Sequence, residues 1–203
     1  MTKQFVPFTP QDSVMLLIDY QTGTIGFARS NSRNRMVHNA RALARVAKTL
    51  QMPVVLTTSL ENQIQGPLLP DIQELLPEAS EVRIKRIGVT NAWMDPDFRN
   101  AVLQAAGGRK NIIMAGLTND VCIVYPSITM AQEGFNVQVV QDAGGSVNKL
   151  SEEAACRRWE SYGVVSTSTN QLIAELAADW ESEVGSRLVP IMVEEVVAHL
   201  GDE

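Results

Sequence analysis

The sequence predicts an α/β protein, a three-layer α/β/α arrangement around a doubly wound, mostly parallel six-stranded sheet. Three observations predict it. Short β-branched apolar runs alternate with longer stretches of helical periodicity, the signature of strand–helix–strand units. The runs are mostly unalternated, as strands buried on both faces must be. The length of 203 residues suits one α/β domain better than two.

The first run is Val14-Met15-Leu16-Leu17-Ile18. Met36, Ala40, Leu43, Ala44, Ala47 and Leu50 then recur at helical spacing and stop before Met52-Pro53. Val54-Val55-Leu56 forms the second run, and Val82-Arg83-Ile84 is a weaker strand after it. Asp95-Pro96-Asp97 opens a helix with Pro in its first turn, and Gly107-Gly108 closes it. Ile112-Ile113-Met114-Ala115 follows, then a helix capped by Asn119 or Asp120 that ends near Glu133-Gly134. Val137-Gln138-Val139-Val140 and Val164-Val165 complete the strands. Helices open at Ser151-Glu152-Glu153 and at Thr169 or Asn170. Residues 1–203 read as a single domain, with 181–203 a C-terminal tail. In that tail Val193, Val196, Val197 and Leu200 form one apolar face, which packs either on a neighbouring subunit or on its own domain.

Composition narrows the function. At 45% hydrophobic and 20% charged residues, the chain has enough apolar material for a core without disulfide or metal staples. A formal net charge of -6 and a pI of about 5.0 disfavour a phosphate-backbone partner. No apolar run approaches the roughly 20 residues of a membrane helix, and the first residues lack the apolar core of a signal peptide. The two cysteines, Cys122 and Cys156, both fall in helical stretches and read as thiols of a reducing cytoplasmic compartment. A small molecule is the expected partner; neither nucleic acid nor membrane is.

Three places carry chemistry. Asp19 follows the first strand directly, where open α/β sheets place their ligand crevice; it reads equally as a turn-forming residue at a strand end. Cys122 falls in the first turn of the helix after Met114-Ala115-Gly116-Leu117-Thr118-Asn119-Asp120-Val121. A helix N-terminus favours an anion and lowers a thiol pKa, and its free N–H groups suit a developing oxyanion. A packed, inert cysteine is the competing reading. Lys85-Arg86 ends the weak strand, as either a site cation or a solvated pair.

An Asp after strand one, a cation before Asn91-Ala92-Trp93, and Gly116-Leu117-Thr118-Asn119-Asp120-Val121-Cys122 occur in that order. Together they resemble the isochorismatase-like cysteine hydrolases. Leu56-Thr57-Thr58-Ser59 followed by Gly66-Pro67-Leu68 is similar to the YcaC-type branch, and the likeness runs from about residue 12 to residue 180. The resemblance implies an Asp–Lys–Cys triad. Asp19 and Cys122 match it, and Arg86 stands at the Lys position, with Lys85 one residue away on the opposite face. An arginine stays protonated, so it orients Asp19 without relaying a proton. The resemblance further implies a cis Leu117–Thr118 peptide that turns the Thr118 N–H, with that of Cys122, toward the oxyanion. It also implies a homo-oligomer, up to an octamer. Asn91 and Trp93, next to the cation, gain weight as substrate contacts.

The implied reaction is acyl transfer from a small amide-like C–N substrate through a thioester, with Asp19 as base. The metal-bearing branch of the family carries Asp and His after the second strand. Thr57-Thr58-Ser59-Leu60-Glu61-Asn62-Gln63-Ile64-Gln65 has no His, and the only histidines are His38 and His199. No catalytic metal and no cofactor are expected. No nucleophile elbow and no phosphate loop appear. Gly144-Gly145-Ser146 reads as a loop bordering the pocket, and Cys156 as a structural residue. Two other readings remain open: isochorismatase-type vinyl-ether hydrolysis, and a catalytically idle oligomeric scaffold that keeps the fold.

Overall fold

A computed structural model describes residues 5–201. Its strands are β1 (Ser13–Ile18), β2 (Val54–Ser59), β3 (Ile84–Arg86), β4 (Asn111–Gly116), β5 (Asn136–Val140) and β6 (Val165–Thr167). The main helices are α1 (Arg33–Thr49), α2 (Pro70–Leu75), α3 (Pro77–Glu81), α4 (Pro96–Ala106), α5 (Val124–Gln132), α6 (Lys149–Ser161), α7 (Thr169–Ala177) and α8 (Glu183–Glu195). The six strands lie in the order β3-β2-β1-β4-β5-β6, and every pairing is parallel.

The unalternated strand runs have a direct explanation. Met15 and Leu17 of β1 join the core that holds Met36 and Leu43 of α1 and Leu172 of α7. Val14, Leu16 and Ile18 join the opposite core, with Phe98 of α4, Val124 of α5 and Trp159 of α6. Side chains alternate between faces and both faces are covered, so Val14 through Ile18 are all apolar. At the centre, a Cβ on Gly116 would run into the Ile18 carbonyl, so β1 and β4 pair closely only with glycine there.

Element boundaries follow the capping chemistry. Asp95 accepts from the Asp97 and Phe98 N–H groups, Pro96 opens α4, and Gly107 ends it with φ 53°. α7 opens at Thr169, as expected, from a capping box of Ser168 and Gln171. Asn148 caps α6, so that helix opens at Lys149 rather than Ser151. β3 lies two residues beyond the expected Val82–Ile84, because Val82 still closes α3 with its N–H on the Glu78 carbonyl.

Leu188 and Ile191 of α8 are buried in the core with α1 and α7, and buried Glu195 pairs with Arg41 and Arg45 of α1. Of the four expected face residues, Val196 packs against that core, while Val193, Val197 and Leu200 are exposed on this chain.

Candidate active site

Strand order reverses between β1 and β4, and ligands of doubly wound sheets bind outside the carboxyl ends of strands at that point. Both key segments leave the sheet there. Asp19 follows β1 in a left-handed conformation, φ 55°, with its N–H donated to the Thr57 carbonyl at 2.9 Å. Its side chain is 1% exposed.

Arg86, the last residue of β3, reaches across the end of β2 to this carboxylate. Its Nη2 donates to Asp19 Oδ2, its Nε to Thr57 Oγ1 at 2.9 Å, and its Nη1 to the Val89 carbonyl. All three guanidinium nitrogens are engaged on three different segments, a geometry one ammonium cannot reproduce. Lys85, on the other face of the strand, is 60% exposed and lies 3.6 Å from Glu61 Oε2. Glu61 is held chiefly by Arg83, at 2.6 Å. Strand periodicity thus separates the adjacent cations: Arg86 goes to the site and Lys85 to the surface.

β4 ends at Gly116, the Leu117–Thr118 peptide is cis, and Asn119–Ile123 form one wide π-helical turn leading into α5. That turn carries half-buried Cys122. The Asp19 carboxyl and the Thr118 N–H both face its sulfur. Asp19 Oδ1 is buried with no geometrically complete hydrogen bond, so the thiol is the polar group left to it.

The electrostatics correct one expectation. Position at a helix start predicts a lowered thiol pKa, but burial pushes the Cys122 thiol well up and the Asp19 charge pushes it further. Arg86 and the Thr118 N–H oppose this without prevailing. Burial likewise raises the Asp19 carboxyl, against the charge and hydrogen bond of Arg86. Burial thus disfavours the charged form of both groups, and at Asp19 the Arg86 ion pair opposes it. Cys156, on α6, is also pushed up, to about 12, by burial and then by Glu152 and Glu160.

Asn91 and Trp93 stand differently. Asn91 accepts from the Trp93 N–H at 3.1 Å and donates to Thr129 Oγ1 at 2.9 Å, tying its loop to α5. The Trp93 ring has no exposed surface; it packs edge-on to Phe135, with Arg99 over its face at 4.7 Å. It supports the wall from the core and offers no surface to a substrate. Ile87 and Val89, which follow Arg86, and Val121, which precedes Cys122, are exposed.

The role of Thr57 escaped sequence reasoning. Thr57 holds Arg86, and the only cue was a run of hydroxyl residues in a buried strand. The Gly144-Gly145-Ser146 loop, expected to border the pocket, lies against the Cys122 turn: the Gly145 carbonyl accepts the Asn119 N–H at 2.9 Å.

Comparison with known proteins gives a consistent placement. The family model described as "Isochorismatase domain" matches residues 13–171. The chain is 34% identical over 184 residues to "Probable hydrolase YcaC" of Escherichia coli strain K12, covering 91% of this chain and 86% of that one. The structure of YcaC from Pseudomonas aeruginosa, with hexane-2,5-diol and covalent acrylamide, superposes with TM-score 0.91 at 32% identity, covering 98% and 96% of the two chains. The Escherichia coli YcaC structure, an octameric hydrolase of unknown specificity, gives TM-score 0.90 at 32% identity over 98% and 95%.

Proposed function

The chain belongs to the isochorismatase family, and we propose that within it the protein is a cysteine hydrolase of small amide-like substrates. One observation carries this reading: the Asp19 carboxyl, oriented by Arg86, and the Thr118 N–H converge on the Cys122 sulfur. A base, a nucleophile and an oxyanion donor then share one site.

Attack proceeds from the neutral thiol. As sulfur bonds to the substrate carbonyl carbon, the S–H proton passes to Asp19 and the carbonyl oxygen takes the charge, held by the Thr118 and Cys122 amides. Collapse breaks the C–N bond. The leaving nitrogen takes the proton from Asp19, and a thioester remains. Water then gives a proton to Asp19 and adds to the thioester; the sulfur leaves and recovers its proton. Burial raises the Asp19 carboxyl, which makes it a better proton acceptor than an ordinary carboxylate. Arg86 remains a cation throughout and fixes the carboxylate. The covalent acrylamide in the Pseudomonas aeruginosa relative is consistent with a reactive nucleophile in that protein, since acrylamide takes up nucleophiles at its alkene.

The octameric state of the Escherichia coli relative supports a homo-oligomer here, and the exposed Ile87, Val89 and Leu200 are apolar surface such an assembly would cover. The two free thiols fit a cytoplasmic enzyme.

The strongly raised Cys122 thiol favours a second reading, an idle scaffold that keeps the fold. A test separates them. Wild type and Cys122→Ala are incubated with 4-nitrophenyl acetate and a panel of small amides, and acyl transfer is read by mass spectrometry. Acylation confined to Cys122, with ammonia or amine released from at least one amide, supports the hydrolase. Equal ester cleavage by the variant, or an unmodified Cys122, leaves the scaffold.

A further inference from the structure

The mechanism makes no use of Glu152, in the first turns of α6. Its carboxylate is held by neutral donors from three separate segments. Asn119 Nδ2 donates to Oε1 at 2.8 Å, Ser146 Oγ to Oε2 at 2.6 Å, and Ser30 Oγ to Oε2 at 3.2 Å. Ser30 Oγ also accepts the Ser146 N–H at 2.8 Å, which closes the group into a ring.

Asn119 is the link to the chemistry. It is fully buried and directly follows Thr118, whose N–H faces the Cys122 sulfur. Its other Nδ2 hydrogen goes to the Gln141 carbonyl at 3.1 Å, and its own N–H to the Gly145 carbonyl at 2.9 Å. The Thr118 carbonyl accepts from Val121 and Ile123, which ties the Thr118–Asn119 peptide into the turn. Only the φ and ψ of Thr118 separate its N–H from that peptide, so what fixes Asn119 restrains its direction. Glu152 holds the Asn119 side chain and, through Ser146, the loop that receives the Asn119 backbone.

We propose that Glu152 is a positioning residue for the oxyanion turn: it acts through Asn119 and Ser146 and aims the Thr118 N–H at the developing oxyanion. This rests on the hydrolase reading above. It gives a signature that general structural damage does not. Acyl transfer from 4-nitrophenyl acetate forms the C–S bond, breaks the ester C–O bond, sends the thiol proton to Asp19 and releases 4-nitrophenolate through a tetrahedral oxyanion. Alkylation by iodoacetamide displaces iodide at a saturated carbon and forms no oxyanion. Glu152 thus matters to the first reaction and not to the second.

The experiment measures both rates at the Cys122 peptide by mass spectrometry, in wild type, Glu152→Ala, Glu152→Gln and Ser146→Ala. Glu152→Ala is expected to slow acylation by about ten- to a hundred-fold, the usual cost of a misplaced catalytic group, while alkylation stays within about twofold. Glu152→Gln, whose amide oxygen still accepts from Asn119, recovers most of the loss. Wild-type acylation in Glu152→Ala, or a parallel fall of both reactions, overturns the proposal. Should circular dichroism show Glu152→Ala unfolded, Ser146→Ala decides: a selective fall in acylation supports the role and an unchanged rate overturns it. If wild-type Cys122 is not acylated at all, the hydrolase reading falls and takes this one with it. If wild type is acylated and both variants match it, only the role of Glu152 is lost.

Discussion

Thr57 presents a lone pair to Arg86 because its hydroxyl hydrogen is already committed. Thr57 Oγ1 donates to the Ile84 carbonyl at 2.9 Å, and the same oxygen receives Arg86 Nε at 2.9 Å. The hydroxyl polarity is thus set by β3 itself, the strand that delivers the arginine. Thr57→Val keeps the shape and removes the acceptor, which leaves a buried guanidinium N–H unpaired. A loss of about 1–3 kcal/mol is expected, read from urea unfolding midpoints, and Thr57→Ser is expected to restore most of it.

The two adjacent cations are expected to behave oppositely. Arg86→Ala strands the buried Asp19 charge, and breaking such a pair costs about 3–5 kcal/mol. Acylation of Cys122 should be lost with it. Lys85→Ala removes an exposed partner of Glu61, which retains Arg83; a change within about 0.5 kcal/mol is expected. Urea titration and the acylation assay check both. The opposite ranking would move the site cation to Lys85.

Asp19→Asn should separate ionisation from catalysis. Burial and the Asp19 charge both raise the Cys122 thiol, so removing the charge moves its titration down. Alkylation of Cys122 against pH should therefore shift to lower pH in the variant. Acylation should nevertheless fall by about 10²–10⁴, the worth of a general base. In wild type the acid limb of acylation should lie above the ordinary carboxylate range, since burial raises Asp19. Full acylation by Asp19→Asn would remove it from the mechanism.

Glu195 should make the α8 contact acid-sensitive. Burial alone would raise its carboxyl, but hydrogen bonds from Arg41, His38 and Arg45 outweigh burial and lower it from 4.5 to about 2. A depressed folded pKa gives stability that is complete above the unfolded value and lost as pH falls through the folded one. The loss therefore runs from about pH 4.5 down to about pH 2. Thermal unfolding against pH should show a shallower decline over this window in Glu195→Gln.

The fold was legible because its signals are local. Apolar runs, the Asp95-Pro96 start and the Gly107 stop each act over a few residues, and Asp19 and Cys122 stood out because strand ends locate a crevice. β3 was misplaced by two residues because the α3 cap, not β propensity, decides where that strand begins. The direction of the thiol shift was misread for a related reason. A helix start reveals a dipole, whereas the burial that prevails at Cys122 arises from packed elements distant in sequence. Thr57 and Glu152 were not singled out because their roles are hydrogen bonds across 29 and 33 residues.

The Asp19–Arg86 pair has a consequence for how the enzyme meets its surroundings. In the proposed acylation step the proton moves from sulfur to Asp19 while one negative charge appears on the substrate oxygen and one disappears from the carboxylate. The sum of charge inside the site is conserved. No ion need enter or leave, and no external base need assist. A catalytic centre of this kind is electrically self-contained: its acylation rate should be indifferent to ionic strength and to buffer concentration, whatever the medium around the acidic surface.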